Sequence, residues 1–78
     1  MERRTFNPKR GGVYTHRSHS NGQYQCIRES KTEGKATLVC LRSGWTFVAH
    51  GCGFYSDGTF DWDFSTGGYF QNGRIHDG

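Results

Sequence analysis

Four residues in this chain have side chains suited to holding a metal or attacking a substrate: Cys26, Cys40, His50 and Cys52. His50 and Cys52 are two apart, a spacing that puts both on one face of a strand. Cys26 and Cys40 flank Glu33-Gly34, where a hairpin would bring their strands together. These four could ligate zinc, which takes Cys and His in tetrahedral array. The sequence lacks the Cys-x-x-Cys and His-x-x-x-His pairs that usually announce such a site, so buried free thiols are the simpler expectation, with no cofactor. His16 and His19, three apart, would point to opposite faces of a strand. A Cys52–His50 nucleophile pair would need a third group to orient it, and none is evident. Asp61 and Asp63 alternate onto one face about 6–7 Å apart, as a solvated strand face would place them. Gly51-Cys52-Gly53 precedes no helix that could cradle a phosphate. No catalytic residue is assigned, and the chain reads as a non-enzyme.

Binding chemistry is better represented. Arg3, Arg4, Lys9, Arg10 and Arg17 fall in the first part of the sequence, and the net charge is +3. Tyr14, Tyr24, Tyr55 and Tyr69 offer aromatic faces. Basic side chains and exposed rings can bind nucleic acid. The same residue types anchor protein interfaces. Asp57, Asp61, Asp63 and Asp77 make the second half mildly acidic, which weakens the case for a polyanion. The expected partner is a larger protein or ribonucleoprotein complex, with nucleic acid as the alternative. The five basic residues and four tyrosines are the candidate partner-binding set.

The elements that must carry these residues are strands. The chain has 78 residues and 12 glycines, with no sustained helical periodicity. Turn signals recur at Gly11-Gly12, Asn21-Gly22, Glu33-Gly34, Ser43-Gly44, Asp57-Gly58, Gly67-Gly68 and Asn72-Gly73. Strands are predicted over 13–18, 23–30, 36–42, 45–54, 59–65 and 69–71. The expected fold is all-β: about five or six short antiparallel strands in a meander, as an SH3-like barrel or a twisted sheet. Aliphatics are few and aromatics make up 15% of the chain. The core is therefore expected to use Ile27, Val39, Leu41, Trp45, Phe47, Phe60, Trp62 and Phe64. A domain this small buries only about 60–65% of its unfolded surface, which disfavours deep clefts.

One register problem is visible in advance. A two-residue turn at Asp57-Gly58 would set Phe54 opposite Asp61. An extra loop residue, or a bulge near Gly51 or Gly53, would avoid that mismatch. Residues 1–11 are expected to be a flexible basic arm, with Phe6 as its one candidate anchor. Residues 12–72 are expected to be a single domain and 73–78 a loose tail. The sequence has no export-signal pattern and no apolar run long enough to cross a membrane as a helix. With an odd number of cysteines, it reads as cytoplasmic with reduced thiols.

The last third carries Ser43-Gly44-Trp45-Thr46-Phe47, Ala49-His50-Gly51, Tyr55-Ser56-Asp57-Gly58-Thr59-Phe60, Trp62-Asp63 and Ser65-Thr66-Gly67-Gly68-Tyr69-Phe70. This stretch resembles small uncharacterised proteins of phages and mobile elements of Gram-positive bacteria. The resemblance brings no catalytic residues. It implies an accessory factor, such as an inhibitor of host defence of the anti-CRISPR kind, acting by stoichiometric binding in the host cytoplasm.

Overall fold

A computed structural model describes residues 2–18 and 22–70. Eight strands follow one another: β1 (Arg3–Thr5), β2 (Val13–His16), β3 (Gln23–Glu29), β4 (Ala36–Cys40), β5 (Trp45–His50), β6 (Gly53–Tyr55), β7 (Thr59–Asp61) and β8 (Phe64–Phe70). They form one open mixed sheet in the order β1-β6-β7-β2-β3-β4-β5-β8. The all-β class agrees with the sequence. The five- or six-stranded antiparallel meander, with its SH3-like barrel variant, does not. There are eight strands among the described residues, and β2 runs parallel to β7. No described element is a helix able to cross a membrane.

The two long strands predicted at 45–54 and 59–65 each break in two. Gly51 takes φ +73 and turns the chain out of β5, so that two residues later it enters β6 near the far end of the sheet. Left-handed backbone is a glycine conformation. The second break lies at Trp62-Asp63, where the Asp63 amide donates to the His50 carbonyl at 2.8 Å. Phe64 is thereby handed from β7 to β8, opposite His50. Cys52, in the first of these breaks, is fully buried. Its amide donates to Gly34 O (2.8 Å), and its carbonyl accepts from the Phe6 amide (3.0 Å).

The register problem at the β6–β7 hairpin is solved by an extra loop residue. Phe54 pairs with Phe60, leaving Ser56, Asp57 and Gly58 as the loop. Gly58 has φ +89 and its amide donates to Tyr55 O at 3.0 Å, the three-residue hairpin geometry in which a left-handed residue closes the turn. Asp57 Oδ1 accepts from both the amide and hydroxyl of Thr59.

The core consists of Cys26, Ala36, Leu38, Phe47, Ala49, Cys52 and Phe60, with Phe6, Tyr14, Tyr24 and Trp62 packed against it. Of the predicted core, Val39, Phe47 and Phe60 are buried. Ile27, Leu41 and Trp62 are half-buried. Trp45 and Phe64 are exposed by 39% and 58%, a correction that follows from the shift of Phe64 into the edge strand beside β5. Strict alternation fails wherever a strand ends sooner than its pattern.

Residues 3–8 are not a loose arm. β1 pairs antiparallel with β6. The Phe6 ring lies 5.3 Å from both Tyr14 and Phe54, and Pro8 is fully buried. Asn7 Oδ1 accepts from the Gly34 amide at 2.7 Å. The predicted turn at Asn72-Gly73, the tail 73–78, His19 and Gln71 lie outside the described residues.

Phe60 is fully buried and its ring meets those of Phe6, Tyr14, His16, Tyr24 and Trp62. Phe60→Ala is expected to cost about 3–5 kcal/mol, since truncating a buried ring loses its transfer energy and leaves a cavity. Urea unfolding should show the midpoint collapse. A loss under about 1 kcal/mol would show that the core closes without this ring.

Candidate functional site

The first strand brings in an arginine that the sheet immediately engages. Arg3 Nε donates to Asp61 Oδ1 at 2.8 Å and Nη2 reaches Asp63 Oδ1 at 3.3 Å. Nη2 also donates to the Gly51 carbonyl. Space for this clasp depends on missing side chains. A Cβ on Gly53 would collide with the Arg3 side chain, and one on Gly51 with the Asp63 carboxylate. Tyr55 donates its hydroxyl to the other Asp61 oxygen at 2.7 Å. Burial pushes the Asp61 carboxyl up, but the hydrogen bonds from Arg3 and Tyr55 and the Arg3 charge together hold it below its ordinary value. Asp61 and Asp63 are therefore an anchor for β1, not a bare solvated face.

Beside this clasp lies an open groove of about 630 Å³. Its walls are Phe6, Tyr14, Phe54 and Tyr55, with Arg4 and Glu2 at the rim. Each ring is held. Phe6 packs on Tyr14 and Phe54. The Tyr14 hydroxyl accepts from the Lys9 amide at 2.9 Å. Tyr55 is fixed at its hydroxyl by Asp61, and the Arg17 guanidinium sits 3.9 Å from its ring centroid. Such cation–π stacking stabilises by about 0.5–1 kcal/mol at an exposed site. The groove is thus apolar and its rings are pre-positioned, which lowers the entropic cost of binding.

The rim charge is balanced. Arg3 is matched by Asp61 and Asp63. Arg4 lies 3.9 Å from Glu2. Arg17 helps lower the Asp57 carboxyl, although the larger causes there are the hydrogen bonds from Thr59. Charge-assisted hydrogen bonds stabilise by about 1.5–3 kcal/mol, so Arg3 has little to gain from leaving Asp61 for a phosphate.

Of the nine partner-binding candidates, Arg4, Tyr14 and Tyr55 line the groove, whereas Arg17, stacked on Tyr55, and Arg3, bonded to Asp61, lie on the sheet face opposite to Phe54, and the Lys9 amide donates to Tyr14. The other three lie apart. Arg10 is exposed, and its amide donates to Glu29 Oε2 at 2.9 Å. Tyr24 is half-buried, 5.2 Å from Trp62, and belongs to the core packing. Tyr69 is on edge strand β8. Phe6 and Phe54 line the groove but were not among those nine. The Phe54 assignment needed the hairpin register, which the sequence left open.

The zinc candidates are dispersed in role. Cys26 and Cys52 are buried free thiols in the core. Cys40 pairs across the sheet with Tyr24 and is half-buried. The His50 ring stacks on Phe64 at 4.5 Å, and its Nε2 lies 2.8 Å from the Thr66 hydroxyl. Because Gly51 ends the strand, His50 and Cys52 do not share a strand face. Among the described residues, no three His, Cys, Asp or Glu side chains form a group that could hold a metal ion. Burial pushes the Cys52 thiol up to about 11, the reverse of an activated nucleophile. Comparison of the chain with protein-family models, curated proteins and solved structures finds no match.

Two measurements check these environments. Asp61 ionises more readily folded than unfolded, so its contribution to stability is complete above its ordinary value of 3.8 and disappears as pH falls through the lower folded value. Melting temperature should fall on acidification below about pH 4, and Asp61→Asn should flatten that decline. An unchanged acid limb in the variant would remove Asp61 from this role. The thiols should also differ. Burial raises Cys40, but hydrogen bonds from Ser43 and Arg42 outweigh it and leave the thiol below its ordinary value, whereas burial raises Cys26 and Cys52. Iodoacetamide should label Cys40 first in the folded protein, read by peptide mass mapping. Equal labelling of Cys52 would contradict its burial.

Proposed function

We propose that this protein is a non-catalytic binding protein that inhibits or regulates a larger protein or ribonucleoprotein complex by stoichiometric contact. The observation that carries the reading is the groove of fixed aromatic walls under a rim of balanced charge. Apolar side chains of a partner fit the walls. Charges of both signs around them suit a protein surface better than a polyanion. The resemblance to small phage and mobile-element proteins extends the proposal to a counter-defence factor of the anti-CRISPR kind, acting in the host cytoplasm. That extension is an analogy of sequence and leaves the target unnamed.

A second reading has its own support. Arg17 stacked on Tyr55 resembles the mixed cationic and aromatic surfaces on which single-stranded bases stack. The local pairing of Arg3 and Arg4 with carboxylates counts against it.

Affinity capture from host-cell lysate, with and without nuclease, separates the two when wild type is compared with Phe54→Ala. The expected result is a discrete protein partner that survives nuclease and binds about tenfold or more weakly to the variant, as for an interface anchor. Partners that vanish with nuclease would transfer the groove to nucleic acid. Retention undiminished by Phe54→Ala would remove the groove from the binding surface.

A further inference from the structure

The two edges of the sheet differ in chemistry. β1 is three residues long, Arg-Arg-Thr, and Arg4 is exposed along it. Charge on a short edge strand is a common guard against unwanted strand addition. β8 has seven residues, Phe-Ser-Thr-Gly-Gly-Tyr-Phe, without a charge or a proline, and every one is exposed. Phe64, Tyr69 and Phe70 are exposed by 58%, 56% and 59%. Its inner side pairs with β5, and its outer side ends the sheet order among the described residues.

We propose that β8 is the pairing edge of a homodimer, joined antiparallel to β8 of a second copy about a two-fold axis. The charge pattern favours this occupant. Self-pairing sets a strand against its own sequence, so an edge bearing charge of one sign meets like charge; β8 has none to repel. The register also suits it. Phe64 pairs with His50 and Tyr69 with Thr46. His50 and Thr46 are four apart on β5, so Phe64 and Tyr69 share one face of the sheet. Antiparallel self-pairing can set Phe64 opposite Tyr69 of the second copy, and the two-fold axis makes that contact twice. The irregularity facing Phe47, where Gly67 and Gly68 adopt φ +67 and +145, falls near the middle of such a pairing and leaves both aromatic ends in place. This surface is separate from the groove. A strand pair with a few rings is a small interface, so a dissociation constant on the order of 10–100 µM is expected.

Sedimentation equilibrium of the full chain over about 5–500 µM tests the proposal at that affinity. Wild type should pass from monomer to dimer. Tyr69→Lys and, separately, Ser65→Lys should weaken the dimer at least tenfold while melting within a few degrees of wild type, and Phe54→Ala should leave it unchanged. Hydrogen exchange at residues 64–70 should slow as concentration rises. A monomer at every concentration overturns the proposal, as does a dimer indifferent to both lysines. Protection in the monomer of the 64–70 amides that point away from β5 would also overturn it, since the edge would then be covered from within the chain.

Discussion

The structure depends on one short parallel pairing. β1, β6 and β7 form one end of the sheet, and β2, β3, β4, β5 and β8 the other. They meet where β2 lies beside β7, Thr15 opposite Thr59 and His16 opposite Phe60. The Phe60 carbonyl accepts from the Arg17 amide at 3.1 Å, and the Phe60 ring fills the space between the two groups of strands. So few backbone bonds cannot hold a sheet together alone. The aromatic packing around Phe60 must supply the rest, and this explains how a chain with few aliphatic residues can afford a core. Phe6 comes from one group and Tyr14, His16 and Tyr24 from the other, and all converge on the same ring.

That junction also decides what the N-terminal charge can do. Bringing β1 against β6 places Arg3 over two glycines and between two aspartates. A residue type suited to phosphate becomes a structural fastener. Of the residues lining the groove beside it, Tyr55 is held at its hydroxyl by Asp61 and on its ring by Arg17. Recognition and stability are therefore joined through Tyr55 and Asp61, whose hydrogen bond belongs to both.

The sequence made the strand class, the glycine turns and several groove residues legible. Gly34, Gly44 and Gly58 all take positive φ in turns, as their dipeptides suggested. Arg4, Tyr14 and Tyr55 were recognisable as binding residue types, and the fold brings them to one groove. What could not be read was long-range. Nothing in Phe60-Asp61-Trp62-Asp63-Phe64 says that the chain leaves one strand and enters another; only the bond from the Asp63 amide to His50 makes the break. Likewise Arg3 carries no local sign that its partners are Asp61 and Asp63. The parallel contact of β2 and β7 has no turn signal at all, because a distant crossover creates it.

The turn at Gly51 has a bearing on the order of assembly. β2 to β5 are hairpin neighbours and can form as the chain is made, each strand meeting the one before it. β1, though first in sequence, pairs with β6, and β2 must wait for β7 on its free side. The chain must therefore close a long loop late, after Gly51 has carried it across the nascent sheet, and such non-local closure slows folding. Until then Phe6 and Tyr14 lack Phe54 and Phe60. Before that loop closes, the rings that later form the groove are exposed, the kind of apolar surface on which folding intermediates aggregate.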